Sequence, residues 1–242
     1  MLKIKNLTVV INVDNLLDSV NLDIKKGEIH ALLGPPNSGK SSVAKIILGD
    51  PTLIFKHGSI TFKRKSIIDQ SISERSKAGI FMSFQHPPII DGLSNFKLML
   101  ESLKSRGDQR TRNQVESQYK GFCKNLGLSS NHGHKSINQE SMTITECRKN
   151  EILQMFMLNP DFVILDEIDA EVEPDELENL ATQIKRFLST KSKASIVITH
   201  NRELLDILQP THVHVIVEGV IRATGSTDLY KRIIEDGYTQ FS

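Results

Sequence analysis

The sequence predicts an α/β domain with a mixed or largely parallel sheet at its core and a small helical lobe inserted in it. Three observations predict this. The apolar runs at residues 29–33, 162–165 and 195–199 are continuous rather than alternating, as strands covered on both faces must be. Helical patterns separate the later runs: residues 146–158, ended by Pro160, and a face made of Leu177, Leu180, Ala181, Ile184, Phe187 and Leu188. Residues 92–140 then break the alternation and supply the lobe.

The early elements are expected as strands at residues 2–10, 18–24, 29–33, 59–63 and 79–84, with a turn at 25–27 and a helix over 43–48 closed by Gly49 and Pro51. In the lobe, Leu93, Phe96, Leu100 and Leu103 recur at helical spacing. A polar stretch follows, then a helix at 119–126 and a Gly-, Ser- and Asn-rich loop at 127–140. Val213, Val215 and Val217 alternate on a late strand. One domain over 1–242 is expected, its α/β core made of 1–91 and 141–242 and its helical subdomain of 92–140. Parallel strands of this kind collect phosphate sites at their C-terminal ends.

Composition excludes several classes. Lysine and arginine number 30 against 29 acidic residues, a net charge of +1, so no global field draws nucleic acid or an anionic membrane. The local basic bias at residues 104–120 reads as a solvated loop. Two cysteines, Cys123 and Cys147, build neither a disulfide framework nor a metal cluster. The first residues alternate like a strand and lack an apolar signal core, and no run approaches the ~18 apolar residues of a membrane span. A cytoplasmic location is expected, or an organelle stroma or matrix in a eukaryote, with any membrane contact made through a partner.

The chemistry is concentrated in a few places. Gly34, Pro35, Pro36, Asn37, Ser38, Gly39, Lys40 and Ser41 fit the phosphate-loop pattern G-x-x-x-x-G-K-S/T, and Ser42 continues it into the helix. A strand delivers this turn to a helix N-terminus, where backbone N–H groups surround phosphates. Lys40 would reach the β- and γ-phosphates of ATP, and the Ser41 hydroxyl would hold Mg²⁺. The strand at 162–165 runs into Asp166 and Glu167: the first would hold Mg²⁺ with Ser41, the second would polarise the attacking water. His200 ends the next strand, where a neutral imidazole could hydrogen-bond a γ-phosphate. Gln85 follows the strand at 79–84 and offers an amide to Mg²⁺ or water.

Phosphate loop, glutamine loop, acidic strand end and terminal histidine, in that order, form the pattern of an ATP-binding-cassette (ABC) domain. The segments Gly79-Ile80-Phe81-Met82-Ser83-Phe84-Gln85-His86-Pro87, Arg148-Lys149-Asn150-Glu151-Ile152-Leu153-Gln154-Met155, Thr211-His212-Val213-His214-Val215 and Glu235-Asp236-Gly237-Tyr238 further resemble the ABC ATPase of the Suf iron–sulfur assembly system. The resemblance covers the chain apart from the loop around 104–118. It implies an ATPase subunit that docks on Suf-type scaffold proteins, through the lobe and the Gln85-His86-Pro87 loop, and dimerises head to tail so that ATP lies between one phosphate loop and the other subunit's signature motif.

Four departures qualify what the resemblance implies. Where the family signature reads Ser-Gly-Gly-Glu, this chain has Thr143-Ile144-Thr145-Glu146. Thr143 and Glu146 keep a capping box, but Ile144 and Thr145 add bulk where glycines let amides approach a phosphate, and Ile suits positive φ poorly. Ala170-Glu171-Val172-Glu173 stands where the family has Ser-Gly-Leu-Asp. Asn37 replaces a customary glycine, and Pro36 removes an N–H. No aromatic residue appears in residues 9–17 to stack on adenine. Three readings stay open: an iron–sulfur assembly ATPase with attenuated hydrolysis, a non-hydrolysing nucleotide-gated paralogue, and the nucleotide-binding subunit of a membrane transporter.

Overall fold

Two larger sheets and one two-stranded antiparallel sheet, formed by residues 90–94 and 136–137, carry the chain. The computed structural model describes residues 1–11, 14–85, 89–137 and 141–241. The chain begins with strands β1 (Leu2–Ile11), β2 (Asp14–Ile24) and β3 (Ile29–Leu33), helix α1 (Lys40–Leu48), β4 (Ile54–Phe62), β5 (Lys65–Ser66), α2 (Ile72–Ala78) and β6 (Ile80–Met82). The middle holds β7 (Ile90–Ser94), α3 (Asn95–Ser105), α4 (Arg112–Asn125), a 3-10 turn at His132–His134 and β8 (Ser136–Ile137). Then follow α5 (Ile144–Leu158), β9 (Phe162–Asp166), α6 (Pro174–Leu188), β10 (Ala194–Ile198), α7 (Arg202–Leu208), β11 (His212–Val217), β12 (Val220–Gly225) and α8 (Thr227–Asp236).

The larger sheet has the order β12-β11-β3-β10-β9-β6, parallel throughout except for β12, which returns antiparallel at one edge. The smaller sheet, β2-β1-β4-β5, is antiparallel. The continuous apolar runs have a simple cause. Along β9, Phe162 and Ile164 join a core shared with the antiparallel sheet and α1, while Val163 and Leu165 join one shared with α5 and α6. A third cluster packs α7 and α8, through Leu205, Leu229, Tyr230 and Ile233, against Ala31, Leu33 and Val213. Each buried leucine or isoleucine in these layers contributes about 1.5–3 kcal/mol relative to exposure.

Several boundaries differ from those read in the sequence. Strand β4 begins at Ile54 and β6 ends at Met82. The basic stretch at 104–120 is no simple loop: α4 starts inside it at Arg112, behind a capping box in which Thr111 accepts from the Gln114 N–H. Its buried stripe is only Val115, Tyr119 and Cys123, too narrow to show against so many charges. Residues 138–140 of the expected 127–140 loop, residues 12 and 13 of the segment searched for an adenine-stacking ring, and His86 and Pro87 of the expected docking loop lie outside the described residues.

Buried Arg75 ties α2 to the end of α1. Its guanidinium donates to the Ile46, Ile47, Ile68 and Gln70 carbonyls at 2.7–2.9 Å. Two of these are last-turn carbonyls of α1, at its negative dipole end; that of Ile46 otherwise has only the long 3.3 Å bond from the Gly49 N–H. Replacing Arg75 by Ala is expected to cost about 3 kcal/mol, read as a lowered midpoint in urea unfolding.

Candidate nucleotide-binding site

Strand β3 is buried along its whole length and delivers Gly34 to the C-terminal end of the parallel sheet. The loop that follows is shaped by close approach. A Cβ on Gly34 would stand 2.1 Å from the Ile216 carbonyl oxygen and 2.6 Å from Ser38 Oγ, so only glycine fits. Asn37 takes φ 60° and Gly39 φ 104°, two left-handed residues that fold the loop over the start of α1. The Gly219 N–H, from the turn after β11, donates to the Ser38 carbonyl at 2.9 Å. Ser38 Oγ is buried and has no hydrogen-bond partner among the described residues.

Lys40, the first residue of α1, is buried and turns back on its own loop. Its ammonium donates to the Gly34 and Pro35 carbonyls at 2.8 and 2.7 Å. Burial lowers its pKa, opposed by the charges of Glu167 and Asp166. Ser41 Oγ donates to Asp166 Oδ1 at 3.3 Å. Asp166 ends β9, its N–H held by Ser83 Oγ at 3.1 Å, and burial pushes its carboxyl above the usual range. Ser42 lies half-buried in the first turn of α1, and Pro36 is exposed at the loop tip.

Glu167 leaves the strand at φ 51°, a conformation rare for a glutamate, with its N–H donated to the Ile198 carbonyl on β10. That turn points its carboxylate at Gln85, whose Nε2 donates to Glu167 Oε2 at 2.7 Å. His200 follows β10, its Nδ1 3.2 Å from the Tyr238 hydroxyl, and the two rings meet edge to face. Desolvation, and then the nearby Lys40 charge, lowers the His200 pKa, so the ring is neutral at neutral pH. The phosphate loop, Lys40, Ser41, Gln85, Asp166, Glu167 and His200 therefore share one end of the sheet.

The segment 143–146 is placed differently. Thr143 caps α5, and none of the segment's hydrogen bonds among the described residues reaches the phosphate loop. Neither Ile144 nor Thr145 has positive φ, which corrects the expectation of backbone strain there: both lie in the first turn of α5. The bulk is also unequal. Thr145 is buried and its Oγ1 accepts the Glu173 N–H at 3.2 Å, whereas Ile144 stands 43% exposed. In the neighbouring loop Glu171 takes φ 59° and Val172 packs into the core.

A second tier escaped the sequence reading as chemistry. Buried Arg148 donates to the Phe84 and Gln85 carbonyls at 2.5 and 2.8 Å, and Glu151 accepts the Phe84 N–H at 2.8 Å. The pair is joined at 3.1 Å, and burial pushes the Glu151 carboxyl up to about 7. Together they hold the backbone that presents Gln85. Tyr238, Ser83 and Asp169 were likewise not singled out for the site; burial raises the Asp169 pKa, and its partner is Thr199. Only the run of charged and amide residues at 148–151, followed by the mostly apolar stretch 152–158, signalled any of this.

Comparison with known proteins follows this geometry. The profile of the family described as "ABC transporter" matches residues 17–170. The chain is 38% identical to the "Probable ATP-dependent transporter ycf16" of Trieres chinensis, over 98% of this chain and 96% of that one. It is 34% identical to the "ABC transporter I family member 6, chloroplastic" of Arabidopsis thaliana, over 100% and 73%. To the "Iron-sulfur cluster assembly protein SufC" of Plasmodium berghei it is 34% identical, over 93% and 63%. Among solved structures, the ATP-binding subunit of an ABC transporter superposes with a TM-score of 0.80 at 17% identity, covering 97% of this chain and 93% of that chain. A cassette described as the dimeric, post-hydrolysis state bound to ADP and Pi superposes with a TM-score of 0.80 at 20% identity, covering 93% and 98%. Matched through its phosphate loop and acidic strand end, and related along nearly its whole length to known members, the chain belongs to the ABC transporter family of ATP-binding ATPase domains.

Proposed function

We propose that this chain is the ATP-binding subunit of an iron–sulfur cluster assembly scaffold, with slowed hydrolysis. The observation that carries the ATP reading is the gathering of Lys40, Ser41, Gln85, Asp166 and Glu167 around one loop. The relative named SufC and the Arg148 to Met155 stretch support the scaffold. The helical subdomain at 92–140, with the Gln85 loop, is the proposed docking surface, and the remainder is the α/β core. Among the described residues no helix is long and apolar enough to cross a membrane, so contact with one would go through a partner. The reading puts the protein in the cytoplasm or an organelle interior; the Arabidopsis relative is labelled chloroplastic.

The residues fit the ligand. The unpartnered Ser38 hydroxyl and the loop N–H groups would donate to phosphate oxygens, and Lys40 would exchange the Gly34 and Pro35 carbonyls for the β- and γ-phosphates. Ser41 and Asp166, with Gln85, are the oxygen donors suited to Mg²⁺, which when bound neutralises charge on the phosphates. Glu167 would orient water once Gln85 releases it, and neutral His200 would hydrogen-bond the γ-phosphate. The post-hydrolysis cassette is described as dimeric; in a dimer arranged head to tail, the start of α5 would face the partner's nucleotide. Ile144, exposed there, favours the second reading, a nucleotide-gated subunit that binds ATP without hydrolysing it. The transporter reading is less favoured by the Lys149 to Met155 stretch.

The test is ATP turnover by the purified chain, alone and with a Suf-type scaffold. Glu167→Gln is expected to lower turnover by ~10²–10⁴-fold while ATP still binds; Lys40→Ala is expected to abolish binding. Turnover stimulated by scaffold and lost in both variants supports the assembly ATPase. Binding without turnover in any setting makes it the gated subunit. No binding of Mg²⁺-ATP sinks both.

A further inference from the structure

At the opposite end of β3 from the phosphate loop, three imidazoles and a carboxylate share one face. Register sets this up: His212 on β11 pairs with His30 on β3, His214 lies two residues further along β11, and Glu28 lies two residues before His30, just ahead of β3. The His30 ring stacks against both other imidazoles, its centroid 4.4 Å from that of His212 and 5.0 Å from that of His214, which lie 6.5 Å from each other. His30 Nδ1 lies 2.8 Å from His214 Nε2, and His30 Nε2 lies 3.1 Å from the Glu28 carboxylate. His214 Nδ1 is 2.8 Å from Thr224 Oγ1, and His212 Nδ1 is 3.0 Å from Thr211 Oγ1. One ligand atom each from Glu28, His30 and His212 falls within 4.8 Å of the others.

Two proton arrangements satisfy these contacts. In the first, the Thr224 hydroxyl donates to His214 Nδ1, His214 Nε2–H to His30 Nδ1, and His30 Nε2–H to Glu28. In the second, both imidazoles are the other tautomer: His30 Nδ1–H donates to His214 Nε2, His214 Nδ1–H donates to the Thr224 hydroxyl oxygen, and His30 Nε2 presents a lone pair beside the Glu28 carboxylate. A lone pair against a carboxylate is repulsive unless a cation lies between them. The second arrangement is also what a metal-binding histidine requires, with its far N–H donated to a fixed acceptor, here His214 backed by Thr224. The first arrangement has no use for His212, yet that ring lies against His30 with a nitrogen within reach of the same point.

We propose that Glu28, His30 and His212 bind one divalent transition metal of the zinc class, with the fourth position left to water. Two imidazoles and a carboxylate are a donor set that zinc accepts with modest contraction of the ligand distances. The ion clamps β3 to β11 at the base of the strands whose upper ends meet at Gly34 and Ile216. It needs no nucleotide and is separate from the Mg²⁺ position.

The experiment uses the full chain, stripped with chelator and titrated with Co²⁺ as a spectroscopic probe, then with Zn²⁺. One equivalent of Co²⁺ should give ligand-field bands of a low-coordinate site, and Zn²⁺ should displace it. Saturating Zn²⁺ should raise Tm by about 5 °C or more. His212→Phe keeps the ring stack without the donor, and Glu28→Gln can still accept the Lys25 N–H. Each should weaken Co²⁺ binding at least ~100-fold with circular dichroism unchanged, and Thr224→Val should weaken it ~10-fold. Absence of a one-equivalent band in the unaltered chain overturns the proposal, as does a band that survives either ligand substitution, which would mark binding elsewhere.

Discussion

Replacing Arg148 by Ala is expected to lower the unfolding free energy by about 3–5 kcal/mol, because it leaves the buried Glu151 carboxylate without its partner. The loss should depend on pH, and its sign follows from the direction of the Glu151 shift. Burial already raises that carboxyl to about 7, above its value in an unfolded chain, and removing the guanidinium raises it further. A raised folded-state pKa favours folding while the group is protonated, and that contribution is lost as pH rises through the folded value. The variant should therefore be closest to the parent near pH 5 and furthest from it near pH 8, as measured by urea unfolding at both. Arg148→Met with Glu151→Gln should recover most of the loss, since the amide can still accept the Phe84 N–H. Turnover reports the second consequence. With the Phe84 and Gln85 carbonyls released, the Gln85 amide loses its fixed position beside Glu167, and activity should fall even where the fold is restored.

Gly34→Ala is expected to reduce ATP affinity by about 100-fold or more, equivalent to ~2.7 kcal/mol. The added carbon would lie 2.1 Å from a backbone oxygen of β11, so either the phosphate loop or that strand must move. Neither is the flexible end of a side chain, and overpacking of this kind commonly costs about 1–3 kcal/mol before any ligand is involved. Asn37→Gly is the matched control. That position already adopts φ 60°, so glycine relieves side-chain strain without moving the loop, and ATP affinity should stay within about threefold. Calorimetric titration with Mg²⁺-ATP checks both variants. Equal affinity in the Gly34 variant and the parent would mean that the approach to Ile216 does not shape the cradle.

The strands at 29–33, 162–166 and 194–198 were legible because each is covered on both sides by separate apolar layers, so that each carries a single polar residue (His30, Asp166 and Ser195) in an otherwise apolar run. The residues of the phosphate loop, Asp166 and Glu167 were legible for a related reason: they sit where those runs stop. What escaped lies where the signal is weak. The edge strand β12 is half-exposed and reads as polar. Helix α4 hides its start among charges, although Thr111 and Gln114 form a capping box that the pattern could have revealed. The Tyr238 hydroxyl reaches His200 across the fold, a contact no spacing predicts. At the signature position the residues were read correctly but their geometry was not, because helix capping by Thr143 places Ile144 and Thr145 at ordinary helical angles.

The parallel sheet also decides when the site can exist during synthesis. Strand β3, which carries the phosphate loop, pairs only with β10 and β11, formed by residues 194–198 and 212–217. The antiparallel sheet draws on residues 2–66 and can assemble early, from pairings much closer in sequence. A nascent chain thus carries Gly34 to Ser41 with no neighbour for the strand that presents them until residues 194–217 emerge. Closing contacts so distant in sequence is slow, and a bare apolar strand is prone to aggregate. Nucleotide can therefore stabilise this domain only at a late stage of its folding, once residues 194–217 have left the ribosome.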